Sequence, residues 1–152
     1  LDTNDAASTV NRLLDMGVED FVVATTMIGI QAQRLVRTLC PHCKALGESI
    51  DPVLWKELVN PWRSNIPDKV YKPVGCLECR NTGYMRRTGL IEMLVMTDAM
   101  RALVGQEGDI VKMRSQAARD GLRSLRLSGA QKIANGLTTM DEVLKAAPPF
   151  TT

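Results

Sequence analysis

Apolar residues recur at helical spacing near both ends of the chain and at strand spacing in two short runs between them. At the start, Val10, Leu13 and Leu14 make an i, i+3, i+4 stripe, which predicts a helix ending near Asp15. Asn4 or Asp5 supplies its cap, since a short side-chain oxygen can accept from the free N–H groups of a first turn. Gly17 follows as a stop. Glu19 to about Met27 reads as a second short helix. Ile28, Ile30 and Ala32 then alternate with smaller or polar residues, and a strand is expected over Gln33–Leu39. A second strand pattern returns at 86–96, where Leu90, Glu92 and Leu94 alternate with Ile91, Met93 and Val95. The simplest pairing makes a long hairpin of these two runs.

Residues 40–80 differ in character. Five prolines and two glycines break the stretch, and its one good helix is Asp51–Leu58, with Pro52 at the first helical position. Segments this broken build little core and usually need a staple. Beyond 97 the pattern is helical again. Thr97 opens one helix. Asp109 opens another, ending at Gly121, with Ile110, Met113 and Ala117 on one face. Ser124 opens a third, ending at Gly136, with Leu125, Ala130 and Ile133 buried. Thr139 and Glu142 form a capping box for the last, which Pro148 and Pro149 end. The expected organisation is therefore 1–39, an insertion at 40–85, a return strand at 86–96 and a helical region at 97–152.

Composition narrows the function. The 152 residues carry a formal net charge of +2, with 45% apolar, 24% charged and 4% aromatic residues. That suits a globular protein whose core rests on aliphatic side chains and Met. It argues against a dedicated nucleic-acid binder, because such affinity needs cationic contacts and stacking rings. No apolar run approaches the roughly 20 residues needed to span a bilayer, so no direct membrane insertion is expected. The chain begins at Leu1 and reads as part of a longer protein.

The chemistry lies in the cysteines. Cys40-Pro41-His42-Cys43 and Cys76-Leu77-Glu78-Cys79 are two C-x-x-C turns separated by 32 residues. Two intervening residues let both thiolates of a turn face one centre, and two such turns make a tetrahedral sulfur cage typical of structural zinc. A closed cage leaves no position for water, so the metal would supply folding energy rather than catalysis. Iron in the same cage, strained C-x-x-C disulfides and a redox pair are the alternatives. Lys44 and Arg80 follow the two turns and are placed to soften the cage's negative charge. His42 reads as a solvated neighbour.

The stretches QRLVRTLCPHC, VGCLECRNTGYMRRTGLIEMLVM and GLRSLRLSGAQKIANGLTTMDEVLK, in that order, resemble the C-terminal part of the secretion ATPases. These are the motors of type II secretion and type IV pilus assembly. The resemblance implies an α+β chain: the truncated end of a RecA-like core, a β-hairpin, an inserted four-cysteine zinc module and a C-terminal helical subdomain. It implies a cytoplasmic homo-hexamer, peripheral to the inner membrane through a platform protein, with ATP and Mg bound in the full-length parent. No G-x-x-x-x-G-K-[ST] loop occurs in residues 1–152, so this stretch alone should not hydrolyse ATP. Two departures stand out. Leu1-Asp2-Thr3-Asn4 carries Asp2 where the family has a histidine, and a carboxylate cannot donate a hydrogen bond as imidazole does. Arg86 stands where the family often has glycine.

The resemblance also implies a nucleotide-site periphery of Thr3, Asn4, Arg34 and Arg37. The alternative for the arginines is a pair of solvated strand residues. Glu92, in an apolar strand, pairs with an arginine such as Arg87 or faces water. Arg101, Arg114, Arg119, Arg123 and Arg126 read as a solvated face or a contact surface. Met93, Met96, Met100 and Met113 read as core filling. Two further functions compete with the motor: a stand-alone zinc-knuckle module binding nucleic acid or acting as a scaffold, and a chaperone-like zinc module. The latter lacks the repeated C-x-x-C-x-G-x-G pattern it would need.

Overall fold

The computed structural model describes residues 1–104 and 109–151. The described elements are α1 (Ala6–Asp15), α2 (Asp20–Thr26), β1 (Gly29–Leu39), β2 (Ala45–Leu46), α3 (Pro52–Val59), β3 (Tyr71–Lys72), β4 (Tyr84–Val95), α4 (Asp98–Val104), α5 (Ile110–Arg119), α6 (Leu125–Ala134) and α7 (Met140–Ala146). The fold is α+β. β1 pairs with β4, and β2 pairs antiparallel with β3. β1 starts four residues earlier than the expected Gln33. Its partner is long enough to pair beyond that point, and the Met96 N–H donates to the Ile28 carbonyl at 3.0 Å, just past both strand ends. The β2–β3 ladder was not expected, because two residues per strand carry no readable alternation.

The chain forms two compact units, and both β1 and β4 run through each of them. The first comprises residues 1–33, 91–124 and 150–152. Its core is aliphatic and Met-rich: Val10, Val23, Leu94, Met96, Met100, Val104 and Met113 are buried. Met93 is the exception among the core-filling methionines and is exposed. α1 packs on α5 and α2, and α4 packs on α2 and α5. Asp5 caps α1, accepting from the Ser8 N–H at 3.0 Å, while the Ser8 hydroxyl closes a capping box. Glu92 does not face water, and it makes a contact that its sequence neighbours did not suggest. It is buried, and its Oε1 accepts from the Ala6 N–H at 3.0 Å. A carboxylate at the positive end of a helix satisfies a free donor and the dipole together.

Two of the tail arginines in this unit, Arg101 and Arg114, are anchored to it, while Arg119 and Arg123 are exposed. Arg114 donates from Nε to Asp5 Oδ2 at 2.8 Å, with both side chains largely buried. Arg101 donates to the carbonyls of Ala24 and Met27 at the end of α2. Burial alone would raise the Asp5 pKa, but Arg114 and Ser8 outweigh it and hold the carboxyl below its ordinary range. Such a group contributes stability above pH 4 and loses it as pH falls through its folded value.

The second unit comprises residues 34–90 and 125–149. Its core joins Val36 of β1 and Leu90 of β4 to Trp55, Leu58 and Val59 of α3, Leu125, Leu127, Ala130 and Ile133 of α6, and Val143 of α7. α3 begins under an Asp51 cap that accepts from the Val53 N–H at 2.9 Å. The expected capping box on α7 is half formed. Thr139 accepts from the Glu142 N–H, but the Glu142 carboxylate is committed elsewhere. α6 and α7 approach closely at Gly129, where a Cβ would lie 2.4 Å from Val143 Cγ1.

Gly129→Ala should therefore lose stability despite the better helix propensity of Ala. Overpacking costs about 1–3 kcal/mol against about 1 kcal/mol of propensity gain. Val143→Ala in the same chain should recover part of the loss. Chemical denaturation of the two single variants and the double variant checks this, and simple additivity would show that the contact is not shared.

Candidate metal centre

The four cysteines converge in the second unit. The end of β1 delivers Cys40, and the turn that follows delivers Cys43. A second turn before β4 delivers Cys76 and Cys79. The first turn is closed by the Lys44 N–H donating to the Cys40 carbonyl at 3.0 Å, and the second by Asn81 N–H to the Cys76 carbonyl at 2.8 Å. The second turn needs two successive left-handed residues, Arg80 at φ 55 and Asn81 at φ 61.

All four Sγ atoms lie within 4.8 Å of one another. Cys40 to Cys76 and Cys43 to Cys79 are both 3.8 Å, and Cys76 to Cys79 is 3.7 Å. Disulfide sulfurs would be about 2.05 Å apart, and all four thiols are free. A regular tetrahedron of sulfurs about 2.3 Å from a central metal has edges of about 3.8 Å. The donor set therefore fits one thiophilic metal ion. Cys40 and Cys79 are buried and Cys43 and Cys76 half-buried, leaving little access for water.

Backbone donors address the sulfurs. The Gly75 N–H points to Cys43 Sγ at 3.3 Å, Cys76 N–H to Cys79 Sγ at 3.3 Å, and Gly83 N–H to Cys79 Sγ at 3.2 Å. Burial would raise the Cys79 thiol, but the N–H groups of Cys76 and Gly83 outweigh it and bring it down to about 6. Cys76 is pulled down by its own bond to Cys79. Burial and the neighbouring sulfurs outweigh that and push it up to about 11. The Cys79 thiolate is thus favoured and the Cys76 thiolate disfavoured, and a cation among the sulfurs would offset the repulsion between them.

Gly83 ties the two turns together. Its N–H serves the second turn, and its carbonyl accepts from the Cys40 N–H at 2.9 Å in the first. Its φ is +81, and a Cβ there would sit 2.4 Å from Pro73 Cβ. Neither conformation nor space admits a larger residue.

The Lys44 ammonium is held by two neighbours. Its Nζ donates to the Gly136 carbonyl at 2.9 Å, past the end of α6, and lies 4.8 Å from the centre of the Tyr71 ring. Arg86 takes φ 64 at the start of β4. The left-handed turn is thus kept without glycine, at a strain of about 1 kcal/mol. Within a strand this is the backbone of a bulge's first residue.

Thr3, Asn4 and Asp2 belong to the first unit, and Arg34 and Arg37 to the second. Asp2 is exposed, and the Thr3 hydroxyl pairs with the Thr9 hydroxyl at 2.8 Å. Arg37 carries an interaction that sequence reasoning missed. Its Nε and Nη2 both donate to Glu142 Oε1, at 2.9 and 2.8 Å, and its backbone N–H donates to Oε2 at 2.8 Å. The guanidinium lies 4.1 Å from the centre of the Tyr84 ring, and the Tyr84 hydroxyl pairs with Thr139 Oγ1 at 3.0 Å. Burial would raise the Glu142 pKa, but Arg37 outweighs it and holds the carboxyl low. A sequence separation of 105 residues left no local signal for this pair.

A family model described as "Type II/IV secretion system protein" matches residues 1–145. The chain is 43% identical over 148 residues to the type IV pilus assembly ATPase TfpB of Acinetobacter baylyi, covering 97% of this chain and 25% of that protein. It is 43% identical over 145 residues to the type II secretion system protein HxcR of Pseudomonas aeruginosa, covering 95% and 27%. It is 36% identical over 145 residues to the type II secretion system ATPase E of Vibrio cholerae, covering 95% and 28%. The chain thus spans about a quarter of the length of these curated relatives.

Two outcomes are expected. Gly83→Ala should weaken metal retention at least tenfold in a chelator competition. Gly17→Ala, at φ +95 with nothing within 4 Å, should leave retention unchanged. Separately, Glu142→Gln should cost about 2 kcal/mol at pH 7. Because the Glu142 carboxyl is held low, that difference should shrink as pH falls below about 4. Urea titrations of both chains at pH 7 and pH 3 measure it, and a pH-independent gap would contradict the ion pair.

Proposed function

We propose, from the premise that this chain belongs to the type II/IV secretion system protein family, that it is the C-terminal, zinc-bearing region of a motor ATPase. The observation that carries the zinc assignment is the set of four thiols on two C-x-x-C turns, with sulfur spacings at the tetrahedral value. Four thiolates in a closed tetrahedral arrangement suit zinc, which needs no open position and no redox change to act structurally. Zinc neutralises the repulsion among the thiolates and holds residues 40–85 as an insertion on the hairpin of β1 and β4.

The motor reading draws its support from the family match and from relatives whose names give them as secretion and pilus-assembly ATPases. In the parent, residues 1–39 complete the end of a RecA-like core, and Thr3, Asn4, Arg34 and Arg37 stand at the nucleotide-site periphery. The parent works as a cytoplasmic homo-hexamer docked on an inner-membrane platform protein, with ATP and Mg bound by segments outside residues 1–152. No described helix is long and apolar enough to cross a membrane. Residues 1–152 alone do not turn over ATP.

The test uses the full-length parent. Purified protein should carry one zinc per subunit, and Cys76→Ser with Cys79→Ser should lose it together with most ATP hydrolysis. Metal analysis returning far less than one equivalent, with all four thiols titrating freely, would overturn the zinc assignment. A full-length sequence without a phosphate-binding loop would overturn the motor reading.

A further inference from the structure

Beside the first cysteine turn, within the second unit, lies a hollow of about 400 Å³. His42, Lys44, Arg86 and Arg87 line it. No Asp or Glu is among the described residues around it. Over the whole chain the 19 Lys and Arg residues nearly balance 17 Asp and Glu, so a one-signed lining is a local departure. Among the described residues, neither Arg86 nor Arg87 takes part in a salt bridge. Part of the lining is held by its surroundings. Lys44 is tied to the Gly136 carbonyl and lies over the Tyr71 ring. Arg86 is held at φ 64, a conformation that disfavours any residue with a Cβ. Backbone strain of this kind is retained where the surrounding structure enforces it, and it concentrates at binding sites.

We propose that this hollow binds a small organic phosphate. A phosphate suits the lining because an Arg fork matches its oxygens in two-point contacts, and fixed cations offset its double charge. The rest of the lining is apolar: Leu39, Met85 and Leu137 give an organic body a surface to cover. The volume falls in the roughly 300–1,000 Å³ range of small-ligand sites. The same headgroup chemistry on a lipid would need a flat approach to a bilayer, whereas a hollow of this size fits a free ligand. The proposal does not rest on the motor reading, since this chain alone supplies the lining.

Phenyl phosphate, inorganic phosphate and phosphatidylglycerol vesicles are the probes, each titrated against the metal-loaded 152-residue chain. Phenyl phosphate should bind saturably and more tightly than inorganic phosphate. Arg87→Gln should weaken it about tenfold. Arg86→Gly relieves the backbone and so keeps the fold. It should weaken binding to a similar degree. Arg63→Gln, at an exposed arginine outside the hollow, should leave binding unchanged. Metal content and the far-ultraviolet spectrum verify that each variant is folded. No saturable phenyl phosphate binding, binding indifferent to Arg86 and Arg87, or binding to vesicles alone would each overturn the proposal.

Discussion

Four sulfurs held within 4.8 Å of one another cannot all carry charge unless something positive sits among them. At about 3.8 Å, two thiolates repel by roughly 4 kcal/mol even with an effective dielectric constant near 20. Backbone N–H dipoles offset part of this at Cys43 and Cys79, and the divergence of Cys79 and Cys76, one pushed down and one up, is the mark of what they leave uncompensated. The placement of the turns follows from this constraint. Gly83 must be glycine because the residue whose two backbone groups serve both turns sits at positive φ against Pro73, and Cys40 must close β1 because the first turn is hung from it. The segment between the turns contributes α3 and its two-residue ladder, and gains a defined position from what holds its ends.

A second organising contact lies at the other end of that unit's sequence. The Glu142 carboxylate takes three donors from Arg37, two from its side chain and one from its backbone. The Thr138 hydroxyl returns a bond to the Arg37 carbonyl at 2.8 Å, and the Leu39 N–H donates to the Leu137 carbonyl at 2.8 Å. The residues leading into α7 therefore run alongside β1 and satisfy groups that a two-stranded sheet leaves open. A sheet edge treated in this way is covered rather than exposed. Arg37, read from sequence as a ligand contact or a solvated strand residue, is first of all the residue that fastens this cover.

Much of this was legible in the residues, and what was not has physical reasons. The caps at Asp5, Asp51, Asp109 and Thr139 were readable because a cap is a local device whose donor and acceptor lie within three residues. The cysteine cluster was readable because each pair is local and ligand chemistry supplies the long-range link. The contacts that Glu92, Glu142, Arg101 and Arg114 make were not legible. Their partners lie 74 to 109 residues away, and a charged residue on a short pattern looks the same whether it meets water or a distant backbone group. The early start of β1 was hidden for a related reason. Gly29 and Gln31 carry no strand signal, and pairing with β4 decides their state.

The interleaving of the two units bears on how the chain acquires its structure during synthesis. The second unit is assembled from residues 34–90 and 125–149, with the first unit's helices α4 and α5 encoded between them. Its core cannot close when the cysteine segment emerges from the ribosome, because α6 and α7 do not yet exist. About 60 further residues must be made first, which at roughly 5–20 residues per second is several seconds. During that interval the thiols of Cys40, Cys43, Cys76 and Cys79 are already outside, while Trp55, Leu58 and Leu90 still lack the helices that cover them. Early capture of a metal by the nascent turns would shorten the loop that the late helices must find, converting a slow search into a local docking step.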